Sequence, residues 1–497
     1  MSASPLAPAW LLEPADANAI AAGVWPSHAS RASDGRLIFA GVSATDLAAR
    51  FGTPLFVMDE QDVHDRAANA RAAFDREFAR VGSAAKVYYA GKAFLCTEIA
   101  RWVTQAGLYI DVCSGGELAV ALAAGVDPSR LGFHGNNKSI AEIDRAVSSG
   151  VGVIVIDSVI EIERVADAAA RHSRVQKVRL RLNSGVHAHT HEYLATARED
   201  QKFGIALVDA ADAVAAIRSH ASLEFLGLHS HIGSQIFESD GFVESARRLL
   251  SLHAQLLDGG AVPELNLGGG FGIAYTSADE ALSIETIASR FADIVAAECA
   301  SLGIPVPVVA VEPGRAIVGP STVTLYEVGT IKDVEVTVDE GVEFVETSPT
   351  NPAGEVSTSS TRPITSTRPA RTAVRKYVSV DGGMSDNVRP ALYEAEYSVR
   401  IAGRVSDAEP TLVRVAGKHC ESGDIVVRND YLPADVEPGD LLAVAATGAY
   451  CWSLASNYNY LGRPPVVAVI DGKARVIVRG ETEEDLLSRD AGIEDNR

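Results

Sequence analysis

The 497-residue chain is poor in cysteine and lacks both long apolar runs and an excess of positive charge. No run approaches the roughly 20 apolar residues of a membrane-spanning helix, and no basic segment followed by an apolar one marks a secretory signal near its start. The five cysteines include no CxxC pair, which argues against a disulfide framework and is typical of a reduced, cytoplasmic protein. The formal net charge of −21 repels phosphate backbones and anionic membranes, so we expect no nucleic-acid partner and no membrane partner.

Eight short β-like segments alternate with amphipathic segments of helical period between residues 58 and 316. They cover residues 85–92, 108–114, 130–136, 151–157, 177–183, 223–233, 264–270 and 307–314. A further helix is predicted over about 61–80, ahead of the first of these segments. Strands that alternate with helices form a parallel sheet, and eight of them close into a (β/α)8 TIM barrel. The sequence therefore predicts an α/β barrel domain over 58–316.

The chain changes character after residue 316. Residues 317–497 contain strand-like segments broken by Gly, Pro and Asp, which predicts a second, C-terminal domain that is mostly β. The N-terminal segment, residues 1–57, has short β runs of its own and is expected to pack with that domain. Residues 340–374 are rich in Ser, Thr and Pro, and such a segment buries too little apolar surface to order itself. We expect this insertion to be disordered.

Four groups of polar residues or glycines fall where the predicted strands end. Lys92 follows the first strand, His231 the sixth, the glycines 268–270 the seventh, and Glu312 with residues 313–315 the eighth. The active site of a TIM barrel lies at these strand ends, which makes the four groups candidate site residues. Each alone has an ordinary explanation: an exposed lysine, a satisfied core histidine, a tight turn, or a helix start with a salt bridge.

Together, the four groups meet the demands of one cofactor, pyridoxal 5'-phosphate (PLP). A lysine forms a Schiff base with its aldehyde, and glycine amides approach and bind its phosphate. Glu312 is suited to keep the pyridine nitrogen protonated, and the flat imidazole of His231 is suited to stack on the ring. Ser234, shortly after His231, adds a hydroxyl.

Six ordered motifs resemble the group IV PLP-dependent decarboxylases, and within that family they are most similar to the diaminopimelate decarboxylases. The motifs are YAGKA at 89–93, HSHIGSQ at 229–235, GGGFG at 268–272, EPGR at 312–315, CESGD at 420–424 and TGAY at 447–450. The resemblance covers about residues 35–465, apart from the insertion. It implies an alanine-racemase-like barrel with a C-terminal β domain, and a homodimer whose two active sites are shared between subunits.

The resemblance also implies roles for individual residues. Lys92, His231 and Cys420 are the expected catalytic residues, with the Cys420 thiol as proton donor after carbon dioxide leaves. The expected cofactor contacts are Lys92, His231, Ser234, Gly269, Gly270, Glu312, Pro313, Gly314, Arg315 and Tyr450. The expected substrate contacts are Arg315, Arg389, Tyr393, Glu421 and Tyr450, with Cys420 and Glu421 supplied by the neighbouring subunit.

The implied reaction converts meso-2,6-diaminopimelate to L-lysine and carbon dioxide, the last step of lysine biosynthesis. Glu421 directly after the thiol favours diaminopimelate over ornithine, because ornithine enzymes resemble CDGLD there. Arg389 favours it too, because a guanidinium suits a distal carboxylate. Decarboxylases of ornithine, arginine or carboxynorspermidine are alternatives within the family. A PLP racemase and a non-catalytic binding module are alternatives from other classes, although a binding module should lack Lys92, the glycines or Cys420.

Two weaker patterns have ordinary explanations. The alternating histidines at 187, 189 and 191 have no acidic or thiol partner at a defined spacing, so we predict a flexible loop there and no metal site. The four cysteines outside the CESGD motif are predicted to be buried as small apolar residues. They are Cys96, Cys113, Cys299 and Cys451.

Overall fold

The computed structural model describes residues 4–186, 202–237, 240–338 and 371–493. The N-terminal strands are β1 (Ala29–Arg31), β2 (Leu37–Phe39), β3 (Val42–Ser43) and β4 (Leu55–Asp59). The next nine are β5 (Ala85–Ala90), β6 (Tyr109–Val112), β7 (Leu131–Phe133), β8 (Val153–Ile156), β9 (Gln176–Asn183), β10 (Ile205–Ala206), β11 (Leu223–His229), β12 (Glu264–Asn266) and β13 (Val308–Val311). The C-terminal strands are β14 (Thr322–Val338), β15 (Arg371–Val380), β16 (Val399–Ile401), β17 (Pro410–Ala416), β18 (Ile425–Pro433), β19 (Leu441–Val444), β20 (Val466–Ile470) and β21 (Lys473–Val478).

Twelve α-helices accompany these strands in the described residues. They are α1 (Ala44–Phe51), α2 (Glu60–Arg80), α3 (Thr97–Gln105), α4 (Gly115–Ala123), α5 (Ile140–Ser149), α6 (Val159–Arg171), α7 (Ala210–Ser219), α8 (Asp240–Leu256), α9 (Ile284–Leu302), α10 (Arg315–Val318), α11 (Arg389–Tyr393) and α12 (Glu483–Leu487). None of them is long and apolar enough to cross a membrane. Local sequence sets several helix starts: Ser139 and Glu142, for example, form a capping box that satisfies free backbone N–H groups at the start of α5.

Eight parallel strands form a closed barrel in the order β9-β11-β12-β13-β5-β6-β7-β8, and β8 pairs with β9 to close it. All four residues of β8 are buried, as expected for barrel strands that are covered on both faces. Helix α2 precedes the first barrel strand and packs against α9 and β5. The predicted TIM barrel with a second, mostly β domain is confirmed, and each of its eight strands overlaps a predicted segment.

The second sheet runs in the order β18-β17-β15-β14-β4-β20-β21, with β19 paired to β14 and β16 paired to β19. Strand β4 comes from the N-terminal part of the chain, yet it pairs with β14 and β20 of this sheet. A small meander of β1, β2 and β3 lies beside it, and the backbone N–H of Leu37 donates to the carbonyl of Ala402. The N-terminal part of the chain thus contributes a strand to the C-terminal sheet.

The predicted disordered insertion of 340–374 is too long at its C-terminal end. Residues 371–374 belong to β15 and pair antiparallel with residues 335–338 of β14. These backbone hydrogen bonds order a segment that has few large apolar side chains. Amino-acid composition carries no information about such backbone pairing. The rest of the predicted insertion lies outside the described residues.

Candidate active site

A cavity of about 280 Å³ opens at the carboxyl ends of the barrel strands. Its walls include Lys92 after β5, Asp111 in β6, His134 after β7 and Glu312 after β13. A smaller pocket shares Lys92, His231 and Glu312 with it, and continues to Ser234, Gly270, Gly314, Arg315 and Tyr450. The strand-end residues singled out from the sequence therefore meet in one place, as parallel strands of a barrel require.

Lys92 lies on a single 3-10 turn, Gly91–Ala93, directly after β5. Its side chain is exposed and lines both pockets. Two hydrogen bonds from the C-terminal domain fix this turn: the backbone N–H of Tyr450 (2.8 Å) and the hydroxyl of Ser453 (2.7 Å) both donate to the carbonyl of Ala93. Tyr450 takes a φ of 63° to make this contact, a conformation uncommon for a residue other than glycine.

Glu312 is buried among hydrogen-bond donors. The side-chain amide of Asn266 donates to its Oε1 at 2.7 Å, and the Nε2 atoms of His229 and His134 lie 3.0 and 3.7 Å from the same oxygen. Burial alone would raise the pKa of Glu312, but the two imidazoles outweigh burial and bring that pKa well below its usual value. Glu312 is therefore a carboxylate at neutral pH.

Asp111 approaches the same atom of His134 as Glu312 does, with its Oδ1 3.0 Å from His134 Nε2. Burial, and then the negative charge of Glu312, raise the pKa of Asp111 well above its usual value. The pKa values of the two carboxyl groups are thus shifted in opposite directions, that of Glu312 downward and that of Asp111 upward. Neighbouring acids whose pKa values are pushed apart are typical of catalytic sites.

The glycine segment and His231 are packed directly against each other. The backbone N–H of Gly269 donates to His231 Nδ1 at 3.2 Å, and a Cβ on Gly269 would lie 2.0 Å from the carbonyl oxygen of Glu312. At Gly270, where φ is 105°, a Cβ would lie 2.2 Å from the carbonyl oxygen of Gly233. Close backbone packing therefore requires glycine at both positions. The carbonyl of Pro313 accepts from the N–H of Ala90 at 3.0 Å and links the ends of β13 and β5.

Two buried arginines contact the same tyrosine, and one of them, Arg315, lines the smaller pocket. Arg315 donates through Nη2 to the hydroxyl of Ser234 at 2.7 Å and through Nη1 to the phenol of Tyr275. Arg389, at the start of α11, donates to Tyr275 at 2.7 Å and to Tyr397 at 2.5 Å. Neither guanidinium forms an ion pair with a carboxylate in the described part of the chain.

Tyr393 is half-buried at the end of α11. The phenols of Tyr275 and Tyr397 both accept hydrogen bonds from Arg389. Cys420 and Glu421 are exposed, and neither lines the cavity or the smaller pocket. The Cys420 backbone N–H donates to Asn459 Oδ1 at 3.0 Å. A single chain thus brings most of the predicted site residues together but leaves Cys420 and Glu421 on its surface.

Comparison with known proteins decides the family. The pyridoxal-binding domain of the pyridoxal-dependent decarboxylases matches residues 61–319. The diaminopimelate decarboxylase of Mycobacterium tuberculosis is 49% identical over 478 residues, covering 94% of this chain and 98% of that protein. That of Mycobacterium leprae is 50% identical and covers 94% and 93% of the two chains. The chain belongs to the diaminopimelate decarboxylase family.

Solved structures of diaminopimelate decarboxylases share the fold. The M. jannaschii enzyme, crystallised with L-lysine, superposes with a TM-score of 0.78 at 29% identity, covering 93% of this chain and 98% of that one. The Helicobacter pylori enzyme, also with L-lysine, gives a TM-score of 0.73 at 26% identity and covers 89% and 98%. The PLP-dependent family expected from the sequence motifs is thus confirmed.

The site of this diaminopimelate decarboxylase fits PLP, the cofactor of the family. The smaller pocket offers backbone amides, the Ser234 hydroxyl and a guanidinium whose Nε is buried without a hydrogen-bond partner in the described residues, which are donors suited to a phosphate. The Lys92 amine lies between this pocket and the cavity of Glu312. The Oδ2 of Asp111 and the Nδ1 of His229 are also buried without a hydrogen-bond partner among these residues.

Several site residues were missed by the sequence argument, namely Asp111, His134, His229, Tyr275 and Tyr397. Asp111 and His134 lie at the ends of the predicted second and third strands, so the reasoning that selected Lys92 would have found them. His134, His229 and Glu312 have ligand atoms within 4.8 Å of one another, close enough to share a metal ion. The absence of a metal site stays a prediction, and the histidines at 187, 189 and 191 lie outside the described residues.

One prediction about the other cysteines is wrong. Cys96, Cys299 and Cys451 are buried as expected, but Cys113 is exposed and lines the cavity with Lys92. It follows β6 directly and therefore lies at the carboxyl ends of the barrel strands. Its partial enclosure and the carboxylate of Glu117 raise the pKa of the Cys113 thiol to about 12, which keeps it protonated and a poor nucleophile.

The buried histidines make the stability of the chain depend on pH. Burial lowers the pKa values of His134 and His229 from 6.5 to about 4. Between these values the unfolded chain binds protons that the folded chain does not, so the free energy of unfolding falls as the pH falls from 6.5 to 4. The slope is about 1.4 kcal/mol per pH unit for each histidine.

Urea unfolding of the cofactor-free chain measures this effect, with a lower midpoint expected at pH 5 than at pH 7. His253 lies outside the site, and burial lowers its pKa to about 4 as well. The variant His253→Gln should therefore reduce the difference between the two midpoints. Equal midpoints at both pH values in the unmodified chain would contradict the proposed neutral histidines.

Proposed function

We propose that this chain decarboxylates meso-2,6-diaminopimelate to L-lysine and carbon dioxide, the last step of lysine biosynthesis. The observation that carries the proposal is a pair of buried arginines that have no carboxylate partner in the described residues. Arg315 lines the Lys92 pocket, and Arg389 is joined to it through the phenol of Tyr275. A buried charge is costly unless a counter-charge meets it. The distal carboxylate of diaminopimelate supplies that charge, whereas ornithine and arginine have none to offer.

The residues around Lys92 would hold the cofactor. Lys92 would bind it covalently through Nζ, and Gly270, Gly314 and Ser234 would donate to its phosphate. Gly269, assigned to the cofactor site by resemblance, donates its N–H to His231. When bound, PLP supplies an electron sink for the bond that breaks as carbon dioxide leaves. Glu312, ionised beside His229, keeps a proton on the pyridine nitrogen and so increases the pull on those electrons.

His231 completes the cofactor site as the ring-stacking residue. Burial first, and then the positive charge of Lys92, lower the pKa of His231 well below its usual value, so the imidazole is neutral at physiological pH. A neutral ring stacks without adding a second cation beside Lys92. Tyr450 lies over Arg315, with the guanidinium carbon 4.7 Å from the ring centroid, and closes the phosphate side of the pocket.

The distal end of the substrate is expected to lie against Arg315 and Arg389, with Tyr393 assigned a contact there by resemblance to the family. Guanidinium groups bind carboxylates through paired, charge-assisted hydrogen bonds. Burial lowers the pKa of Arg389, but the neighbouring phenols of Tyr275 and Tyr397 outweigh it and raise that pKa, so the side chain stays charged. This site therefore selects for an anionic group at a fixed reach from Lys92.

Cys420 and Glu421 act in the active site of a second copy of the chain. Both are exposed and lie away from the chain's own cavity, which supports a homodimer with shared sites. In that arrangement the Cys420 thiol returns a proton to the substrate carbon after carbon dioxide has left, and Glu421 contacts the distal amine. The five cysteines are all free, which supports the cytoplasmic location expected from the sequence.

The test is carbon dioxide release from a panel of substrates by the PLP-loaded enzyme. We expect meso-diaminopimelate to exceed ornithine, arginine and carboxynorspermidine by about 10³-fold or more in kcat/KM, because unpaired buried groups penalise the wrong substrate heavily. Comparable turnover of ornithine would assign the chain to another decarboxylase of the family. Racemisation without carbon dioxide release, or no absorption band from bound cofactor, would favour the racemase or the binding module.

A further inference from the structure

Tyr275 lies between the two arginines and contacts both. Its phenol oxygen accepts a hydrogen bond from Arg315 Nη1 and another from Arg389 Nη1, the latter at 2.7 Å. The guanidinium carbons lie 5.7 and 4.7 Å from the centroid of its ring. Tyr397, by comparison, contacts Arg389 but makes no hydrogen bond to Arg315 in the described residues.

The backbone at Tyr275 and just before it is fixed independently of the arginines. Its own N–H donates to the carboxylate of Asp279 at 2.9 Å. Two residues earlier, Ile273 exchanges hydrogen bonds with the side-chain amide of Gln235. The ring of Tyr275 also meets that of Tyr397 edge-on, with centroids 5.1 Å apart. The phenol oxygen is thus held in place before any ligand binds.

Two guanidinium groups this close repel each other, and no carboxylate in the described residues forms an ion pair with either. A shared acceptor between them offsets part of that repulsion and keeps both pointing at one spot. We propose that Tyr275 is a positioning residue that holds Arg315 and Arg389 together as a two-arginine site for the substrate's distal carboxylate. The inference rests on the proposed function, because it assigns that carboxylate to this site.

The test compares L-lysine, which keeps the carboxylate, with cadaverine, which lacks it. Binding of each to the PLP-loaded enzyme is followed by the absorption change of the cofactor, for the wild type and Tyr275→Phe. We expect the Kd of L-lysine to rise about ten-fold or more in Tyr275→Phe, the scale of one hydrogen bond to a charged group. The Kd of cadaverine should stay within about two-fold, and KM for diaminopimelate should rise more than kcat falls.

The matched control is Tyr397→Phe, which removes a phenol from Arg389 alone and should weaken L-lysine less. Equal losses for both ligands, or no loss for L-lysine, would overturn the role of Tyr275. If Tyr275→Phe does not load the cofactor, Tyr275→His restores an acceptor; it should recover loading and L-lysine affinity, and failure to do so counts against the proposal. A wild type that binds cadaverine as tightly as L-lysine would instead reject the proposed function.

Discussion

Replacing Lys92 with alanine is expected to lower turnover by about 10³-fold or more, because the chain loses the amine that holds the cofactor covalently and handles protons beside it. The fold should survive, since the Lys92 side chain is exposed and its turn is held through the backbone of Ala93. Carbon dioxide release from meso-diaminopimelate measures the loss. Borohydride reduction followed by mass analysis of peptides should label Lys92 in the wild type and leave the variant unlabelled.

A second lysine of the barrel provides the control. Lys177 lies on β9 with an exposed side chain and lines neither the cavity nor the smaller pocket, so Lys177→Ala should keep wild-type turnover and borohydride labelling. Circular dichroism of all three proteins checks that the barrel is intact. Turnover near the wild-type rate in Lys92→Ala would remove this lysine from the mechanism.

The parts of the site that could be predicted from the sequence are those set by strand order. A parallel barrel places the carboxyl ends of all eight strands around one mouth. Four groups lie at such strand ends, and this position alone predicts that they lie close together. They are Lys92, His231, Glu312 and the glycine segment. Their distances in the structure follow from that topology: Gly269 contacts His231, for example, because β11 and β12 are adjacent.

The contacts that could not be predicted join the barrel to the C-terminal domain. Tyr275 and Arg389 are 114 residues apart, and no local pattern relates a loop after β12 to the start of α11. The same holds for Ala93, whose carbonyl accepts from Tyr450 and Ser453 far along the chain. A periodic pattern reports which face of an element is buried, but not which distant side chain meets it.

The position of Cys420 leads to the last prediction, in which two inactive variants restore each other. Cys420→Ala alone should lower turnover by about 10²–10⁴-fold, the range for a lost general acid. Mixed with Lys92→Ala chains, it forms dimers in which one site has both the intact Lys92 and the intact Cys420. With random pairing, half of the dimers are mixed and half of their sites are intact, so roughly a quarter of wild-type activity should return.

The recovery distinguishes shared from separate active sites. If each chain used its own Cys420, no dimer of the two variants would contain a site with both Lys92 and Cys420. The subunits are mixed by mild denaturation and refolding, and the same treatment of each variant alone gives the background rate. A mixture of Cys420→Ala chains with Cys299→Ala chains, prepared in the same way, is the reference mixture. Cys299 is buried on α9 away from both pockets, so dimers formed with it should show activity in proportion to their intact sites. No recovery in the Lys92→Ala mixture, alongside activity in the reference mixture, would mean that Cys420 serves the active site of its own chain.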